Sequence, residues 1–123
     1  MKKNILYALF ITVLIVLVIF ITNISGTSKT SNNVSTIIQD ENIVLIDVRT
    51  EEEYKSGHIP RAINIPNTEI ENVINYDKDT PIAVYCRTGK RSKEAALTLE
   101  KMGYTKIYDL GSINNYEGEL ITN

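Results

Sequence analysis

Cysteine and histidine are nearly absent: the 123 residues hold one of each, Cys86 and His58. A single thiol cannot close an intrachain disulfide, and one histidine beside it cannot complete a CxxC or multi-ligand zinc framework, so no metal site is expected. Positive charge is not in excess either, with 13 basic against 15 acidic residues. Nucleic acid attracts basic domains, so no nucleic-acid partner is expected. Internal repeats, proline-rich tracts and long blocks of like charge are also missing from the sequence. The length leaves room for one domain, too small for a deep cofactor cage, and no cofactor is expected.

What is present first is a long apolar run. Ile5 to Ile21 contains no charge, Gly or Pro, and Lys2 and Lys3 precede it. As a helix the run spans about 26 Å, and continuing through Ile24 brings it to the roughly 30 Å of a bilayer core. Residues 1–26 are therefore read as a transmembrane anchor or a signal segment. The run exceeds the apolar stretch of an ordinary signal peptide, and Ile24-Ser25-Gly26 offers only a weak exit site, which favours the uncleaved anchor. Both lysines lie before the run and only Lys29 just after it, so the positive-inside bias places the body outside the cytoplasm. It would be membrane-anchored there, or secreted if the segment is cleaved. Setting aside Lys2 and Lys3, the segment's only charges, leaves 97 residues with 11 basic against 15 acidic groups, a net charge of −4.

Residues 27–38 read as a polar linker, because Ser25 to Ser35 is too polar to bury and rich in side chains that compete for backbone hydrogen bonds. A short helix is expected around Val34 to Gln39. The body, 39–121, then alternates strands and helices. Ile43 to Ile46 is an apolar β-branched run of the kind buried in parallel sheets, ending at Asp47. Thr50 stands three residues before Glu53, a capping-box pattern that predicts a helix from Glu51 to Lys55, stopped by Gly57. A second strand is expected at Ala62 to Ile65, a helix at Thr68 to Tyr76, and a third strand at Ile82 to Tyr85 after Pro81. Ser92 to Met102 places Ala95, Ala96, Leu99 and Met102 on one face of a helix, with Gly103 just past its end. The last strand is Thr105 to Leu110. This order implies an α/β fold: a small parallel sheet flanked by helices on both faces, preceded by one hydrophobic N-terminal helix.

Reactive sites of open parallel sheets lie beyond the carboxyl ends of strands, and the junction richest in functional groups is at Cys86. There a thiol is followed by a tight loop, Arg87-Thr88-Gly89-Lys90-Arg91, leading into a helix. Backbone N–H groups, the helix amino terminus and the nearby cations all favour the thiolate and lower the pKa of such a thiol toward roughly 3.5–7.5. Cys86 is thus the candidate nucleophile. The cationic loop, set on a body of net negative charge, is expected to draw a small anion. An inert core cysteine would not need three cations and a glycine in the next five positions.

The quoted residues resemble a known family. Ile46-Asp47-Val48-Arg49, Glu53-Tyr54, Gly57-His58-Ile59, Ala62 to Pro66 and Tyr85 to Ser92 match, in order and spacing, the motifs of a single-domain rhodanese, over about Gln39 to Ile121. The resemblance implies a sulfurtransferase in which Cys86 accepts a sulfane sulfur as a persulfide. Arg87, Thr88, Gly89, Lys90 and Arg91 would bind the substrate through backbone and charge. The donor would be a small anion such as thiosulfate and the acceptor cyanide or a thiol, a scheme that needs only one cysteine. Two other readings stand beside it. One is a non-catalytic binding or scaffold module. The other is a phosphatase or arsenate reductase, whose Cys-x5-Arg loop is one residue longer than the spacing from Cys86 to Arg91.

The remaining polar residues take quieter readings. His58 is expected to be structural, and Asp47 and Arg49 to brace loops. Glu51 to Glu53 are read as a solvated first helical turn, and Tyr85 as a strand residue packed beside the site. Arg61 stands where the family usually has Gly, so that turn either avoids the left-handed conformation or accepts a side chain in it. Gly111-Ser112-Ile113 and Tyr116 replace a Gly pair and a Trp, departures expected to affect carboxyl-terminal packing more than the site. Thr88 replaces a Lys found in some thiosulfate-preferring relatives.

Overall fold

The structure, a computed structural model, describes residues 1–24 and 34–123. It divides into two units, Met1–Ser31 and Asn32–Asn123. The first holds helix α1, Lys2–Ile24. Its apolar side chains are exposed through Ile19, and the helix is long and apolar enough to cross a membrane. Residues 27–33 of the expected linker lie outside the described residues. The linker's last five residues form α2, Val34–Ile38, whose Val34 is buried with Ile43 and Leu45 in the core of the second unit.

That unit is built on a four-stranded sheet of β1 (Val44–Asp47), β2 (Ile63–Asn64), β3 (Ile82–Cys86) and β4 (Ile107–Ser112), in the order β2-β1-β3-β4. Every pairing is parallel. The central strand β3 is buried along its whole length, as its unbroken apolar run requires. Its side chains alternate across the sheet. Ile82, Val84 and Cys86 join Ile70 and Ile74 with Ala95 and Leu99 on one face. Ala83 and Tyr85 join Val34, Ile59, Leu110 and Ile113 on the other. Helices α4 (Ile70–Val73) and α5 (Lys90–Lys101) therefore cover one face. The opposite face is covered by α2, by Tyr54 of α3 (Glu51–Ser56) and by a 3-10 turn at Ile113–Asn115. Each fully buried aliphatic side chain here contributes about 1.5–3 kcal/mol.

Several elements differ in extent from the sequence reading. Helix α5 starts at Lys90 rather than Ser92, because Gly89 takes a left-handed backbone, φ 98°, and turns the chain into the helix early. The expected helix Thr68 to Tyr76 is a 3-10 turn, Asn67–Glu69, followed by the single turn of α4. Strand β2 is only two residues long. Arg61 adopts the left-handed conformation with φ 72°. Its guanidinium donates to the carbonyl of Ile38 at 2.6 Å, so the side chain in that turn ties α2 to the sheet.

Strand β4 runs to Ser112, two residues past the expected end, and contains a bulge. Val84 pairs with Asp109, but Tyr85 pairs with Gly111 and Cys86 with Ser112, leaving Leu110 as the extra residue. Gly111 is left-handed, φ 71°, and a Cβ there would stand 3.2 Å from the Asn115 amide nitrogen. That amide donates to the Leu110 carbonyl at 3.0 Å, satisfying the backbone that the bulge releases.

Candidate active site

The site lies where β3 ends and α5 begins. Alternation on β3 points Cys86 toward α5, and the side chain is fully buried. Its sulfur accepts the N–H of Gly89 at 3.0 Å. Burial pushes the thiol up, but the polar groups of Ser92 and the Gly89 and Thr88 N–H groups at the head of α5 outweigh it, so Cys86 ionises below its ordinary value. The thiolate is stabilised chiefly by dipoles at the head of α5.

The predicted loop residues separate into two groups. Arg87, Thr88 and Lys90 are exposed. Neither Arg87 nor Lys90 makes an ion pair among the described residues. Gly89 supplies the backbone donor. Arg91, in contrast, is engaged: its guanidinium grips Glu53 with two bonds of 2.8 and 3.0 Å. This pairing with Arg91 holds the Glu53 carboxyl below the usual carboxylate range despite partial burial. Arg91 still contributes its field to Cys86. Glu53 is therefore more than a solvated helix turn. It caps the start of α3, accepting the Thr50 hydroxyl at 3.4 Å while Thr50 accepts the Glu53 N–H at 3.3 Å, and it ties α3 to α5.

Behind the cysteine lies a buried polar brace. The Asp47 carboxylate accepts both Nε and a terminal nitrogen of Arg49, the latter at 2.7 Å, and Arg49 also donates to the Gly57 carbonyl at 2.7 Å. The Arg49 guanidinium stands 5.8 Å from the Tyr85 ring centre. Tyr85 accepts the Ile59 N–H at 3.1 Å, and burial first, then the Asp47 carboxylate, raise its ionisation well beyond the usual tyrosine value. His58 is buried, stacked on Tyr54 at 3.7 Å, with its Nδ1 2.9 Å from the Tyr54 carbonyl. Its backbone bridges Ile121. It braces the carboxyl-terminal tail and makes no contact with Cys86.

Three contributors escaped the sequence reading: Glu53, Ser92 and Ser112. The Ser92 hydroxyl donates to the Gly89 carbonyl at 3.0 Å. The Ser112 hydroxyl donates to the Arg87 carbonyl at 2.6 Å. The capping pattern singled out Glu53, but its partner is 38 residues away. As a departure from the family pattern Ser112 points to carboxyl-terminal packing, whereas the bulge in β4 sets it directly against the cysteine loop.

A parallel α/β sheet with a buried, dipole-stabilised cysteine at the carboxyl end of its central strand defines a cysteine-loop domain. Within that class, the chain belongs to the Rhodanese-like domain family, which matches residues 30–119. It is 38% identical over 73 residues to the thiosulfate sulfurtransferase PspE of Escherichia coli strain K12, covering 57% of this chain and 70% of that protein. It is 32% identical over 74 residues to the thiosulfate sulfurtransferase GlpE of Pseudomonas savastanoi, covering 59% of this chain and 70% of that protein. Against the Bacillus subtilis protein YrkF, 38% identical over 72 residues and matched over 58% of this chain, it spans only 39% of that protein's length. Among solved structures, a rhodanese with anions from E. coli superposes with a TM-score of 0.62 at 33% identity, covering 66% of this chain and 99% of that one. The likeness supports sulfur transfer at the level of the family.

Proposed function

We propose that this protein moves a sulfane sulfur from a small anionic donor such as thiosulfate to a nucleophilic acceptor, cyanide or a thiol, through a persulfide on Cys86. The observation that carries the reading is the buried sulfur that accepts the Gly89 N–H at 3.0 Å at the head of α5, with the Ser92 and Thr88 backbone also favouring its thiolate. The Cys86 thiolate attacks the outer sulfur of thiosulfate; a new S–S bond forms, the old one breaks, and sulfite leaves with the bonding pair. The persulfide keeps its negative charge in the same cradle of N–H groups. Cyanide or a thiolate then attacks the outer sulfur, leaving as thiocyanate or a new persulfide and returning Cys86 to the thiolate. No second cysteine, metal or redox partner enters the balance. Because Glu53 neutralises Arg91, the unpaired cations available to the donor are Arg87 and Lys90, with the backbone of residues 87–91 as the anion's hydrogen-bonding surface. α1 serves as a membrane anchor, with the domain outside the cytoplasm.

Intact mass tests the transfer. Wild-type protein incubated with thiosulfate gains one sulfur atom, cyanide removes it, and Cys86→Ser gains none. Phosphatase or arsenate-reductase turnover without sulfur uptake overturns the assignment, and a folded protein that takes up no sulfur leaves a binding module.

A further inference from the structure

The bulge in β4 has a direct consequence for the cysteine loop. An unbroken register continued from Val84 and Asp109 would pair Tyr85 with Leu110 and bring Gly111 opposite Cys86; with the bulge, Ser112 takes that place. The Ser112 oxygen then does two things, accepting the N–H of Asn114 at 3.1 Å and donating its own proton to the carbonyl of Arg87 at 2.6 Å. That carbonyl belongs to the same planar trans unit as the N–H of Thr88, and the two groups point in opposite directions. A hydroxyl holding the carbonyl on one side therefore turns the N–H to the other, where the Thr88 backbone joins the Gly89 N–H in favouring the Cys86 thiolate.

We propose that Ser112 is a positioning residue for Cys86, fixing the Arg87–Thr88 peptide so that its N–H faces the sulfur in both the thiolate and the persulfide. Ser112 makes no hydrogen bond to the sulfur and acts through one peptide group. Gly111 makes this arrangement possible: its left-handed backbone, φ 71°, forms the bulge, and its missing side chain leaves room for Asn115 and for Gly89, whose own added Cβ would stand 3.6 Å from the Gly111 Cα. The charged groups on the surrounding elements include Arg87 in the loop, Lys90, Lys93 and Glu94 of α5, Arg91 of α5 with Glu53 of α3, Asp47 with Arg49 at the end of β1, and Asp109 of β4. Replacing Ser112 with an uncharged residue alters none of them.

The role rests on the sulfur-transfer reading, but its test does not. Thiolate formation is followed by ultraviolet absorbance across pH in the full chain, referenced to Cys86→Ser, for wild type, Ser112→Ala and Ser112→Thr. Loss of one hydrogen bond to the loop raises the ionisation midpoint of Ser112→Ala by roughly half to one pH unit, while Ser112→Thr, which keeps the hydroxyl, stays at the wild-type midpoint. An unchanged midpoint in folded Ser112→Ala overturns the proposal, as does a Thr variant that shifts like Ala. If Ser112→Ala does not fold, the wild-type Thr88 amide decides by nitrogen-15 NMR. A resonance that follows the thiol titration supports the role, and a flat one overturns it. Thiosulfate loading of the wild type is measured separately, so failure there removes the transferase reading and leaves the midpoint comparison intact.

Discussion

Asp47 and Arg49 form the residue pair on which the site's frame depends most. Both are buried, and each spends its hydrogen-bonding capacity inside the domain. In Asp47→Asn the guanidinium loses its counter-charge without regaining water, a defect worth about 3–5 kcal/mol. That is a large part of the roughly 5–15 kcal/mol that holds a domain folded. The urea midpoint of Asp47→Asn should fall accordingly, whereas an unchanged midpoint would mean the pair is only decorative. Cys86 gives a second prediction at this scale. Its thiol ionises below its ordinary value near 9.0, because donors at the loop and helix head outweigh burial. For an acid with a depressed folded value, the stabilising contribution is complete above 9.0, the unfolded reference, and is lost as pH falls through the folded value. In the proposed mechanism sulfur loading uses the same thiolate. Its rate should stay flat down to a pH below 9.0 and then drop about tenfold per pH unit. A rate that keeps rising through pH 9.0 would show an ordinary thiol.

At the scale of elements, the Glu53–Arg91 pair joins the first turns of α3 and α5, and both side chains are about one-third exposed, at 29% and 31%. Its stabilising value is modest, about 0.2–1 kcal/mol, as for other partly solvated pairs. It also offsets one positive charge beside the cysteine loop, the face the proposed anionic donor would approach. Glu53→Gln should therefore lower the KM for thiosulfate, with the gain fading as salt is added, while the melting temperature moves little. A KM that rises would show that Arg91 must be held in place to assist. The sequence made the individual elements visible: the β-branched runs of β1 and β3, the capping box before α3, and the apolar face of α5 at Ala95 and Leu99. The cysteine and its loop were equally plain, because thiol, glycine and cations are contiguous. The links between elements were not. Glu53 and Arg91 are distant in the chain, and no periodicity marks a bulge that shifts Ser112 into register with Cys86. Nor does composition indicate that Arg61 would accept a left-handed backbone in exchange for hydrogen bonds to the end of α2.

At the scale of the whole molecule, both hydrophobic clusters, the four strands and every residue of the cysteine loop lie within Asn32–Asn123. Helix α1 contributes none of its described residues to either cluster. A helix apolar on every side gains little from water and much from lipid, since about twenty apolar residues suffice to span a bilayer core. Chemistry and location should therefore be separable. Expressed in a bacterial host, the full chain should sediment with membranes and resist alkaline carbonate. A chain beginning at Asn32 should remain soluble, fold, and load sulfur from thiosulfate at the same rate as the detergent-solubilised full chain. The proposed orientation rests on Lys2 and Lys3: if it holds, exchanging them for neutral residues and adding lysines after the helix should turn the domain from outside the cytoplasm to inside, read by protease accessibility in spheroplasts. Full-length protein found in the soluble fraction with its amino terminus intact would refute the anchor, and removal at a site near Thr27 would make the segment a signal instead. In either case the cysteine site would keep its geometry, because every contact described around Cys86 comes from residues after the helix.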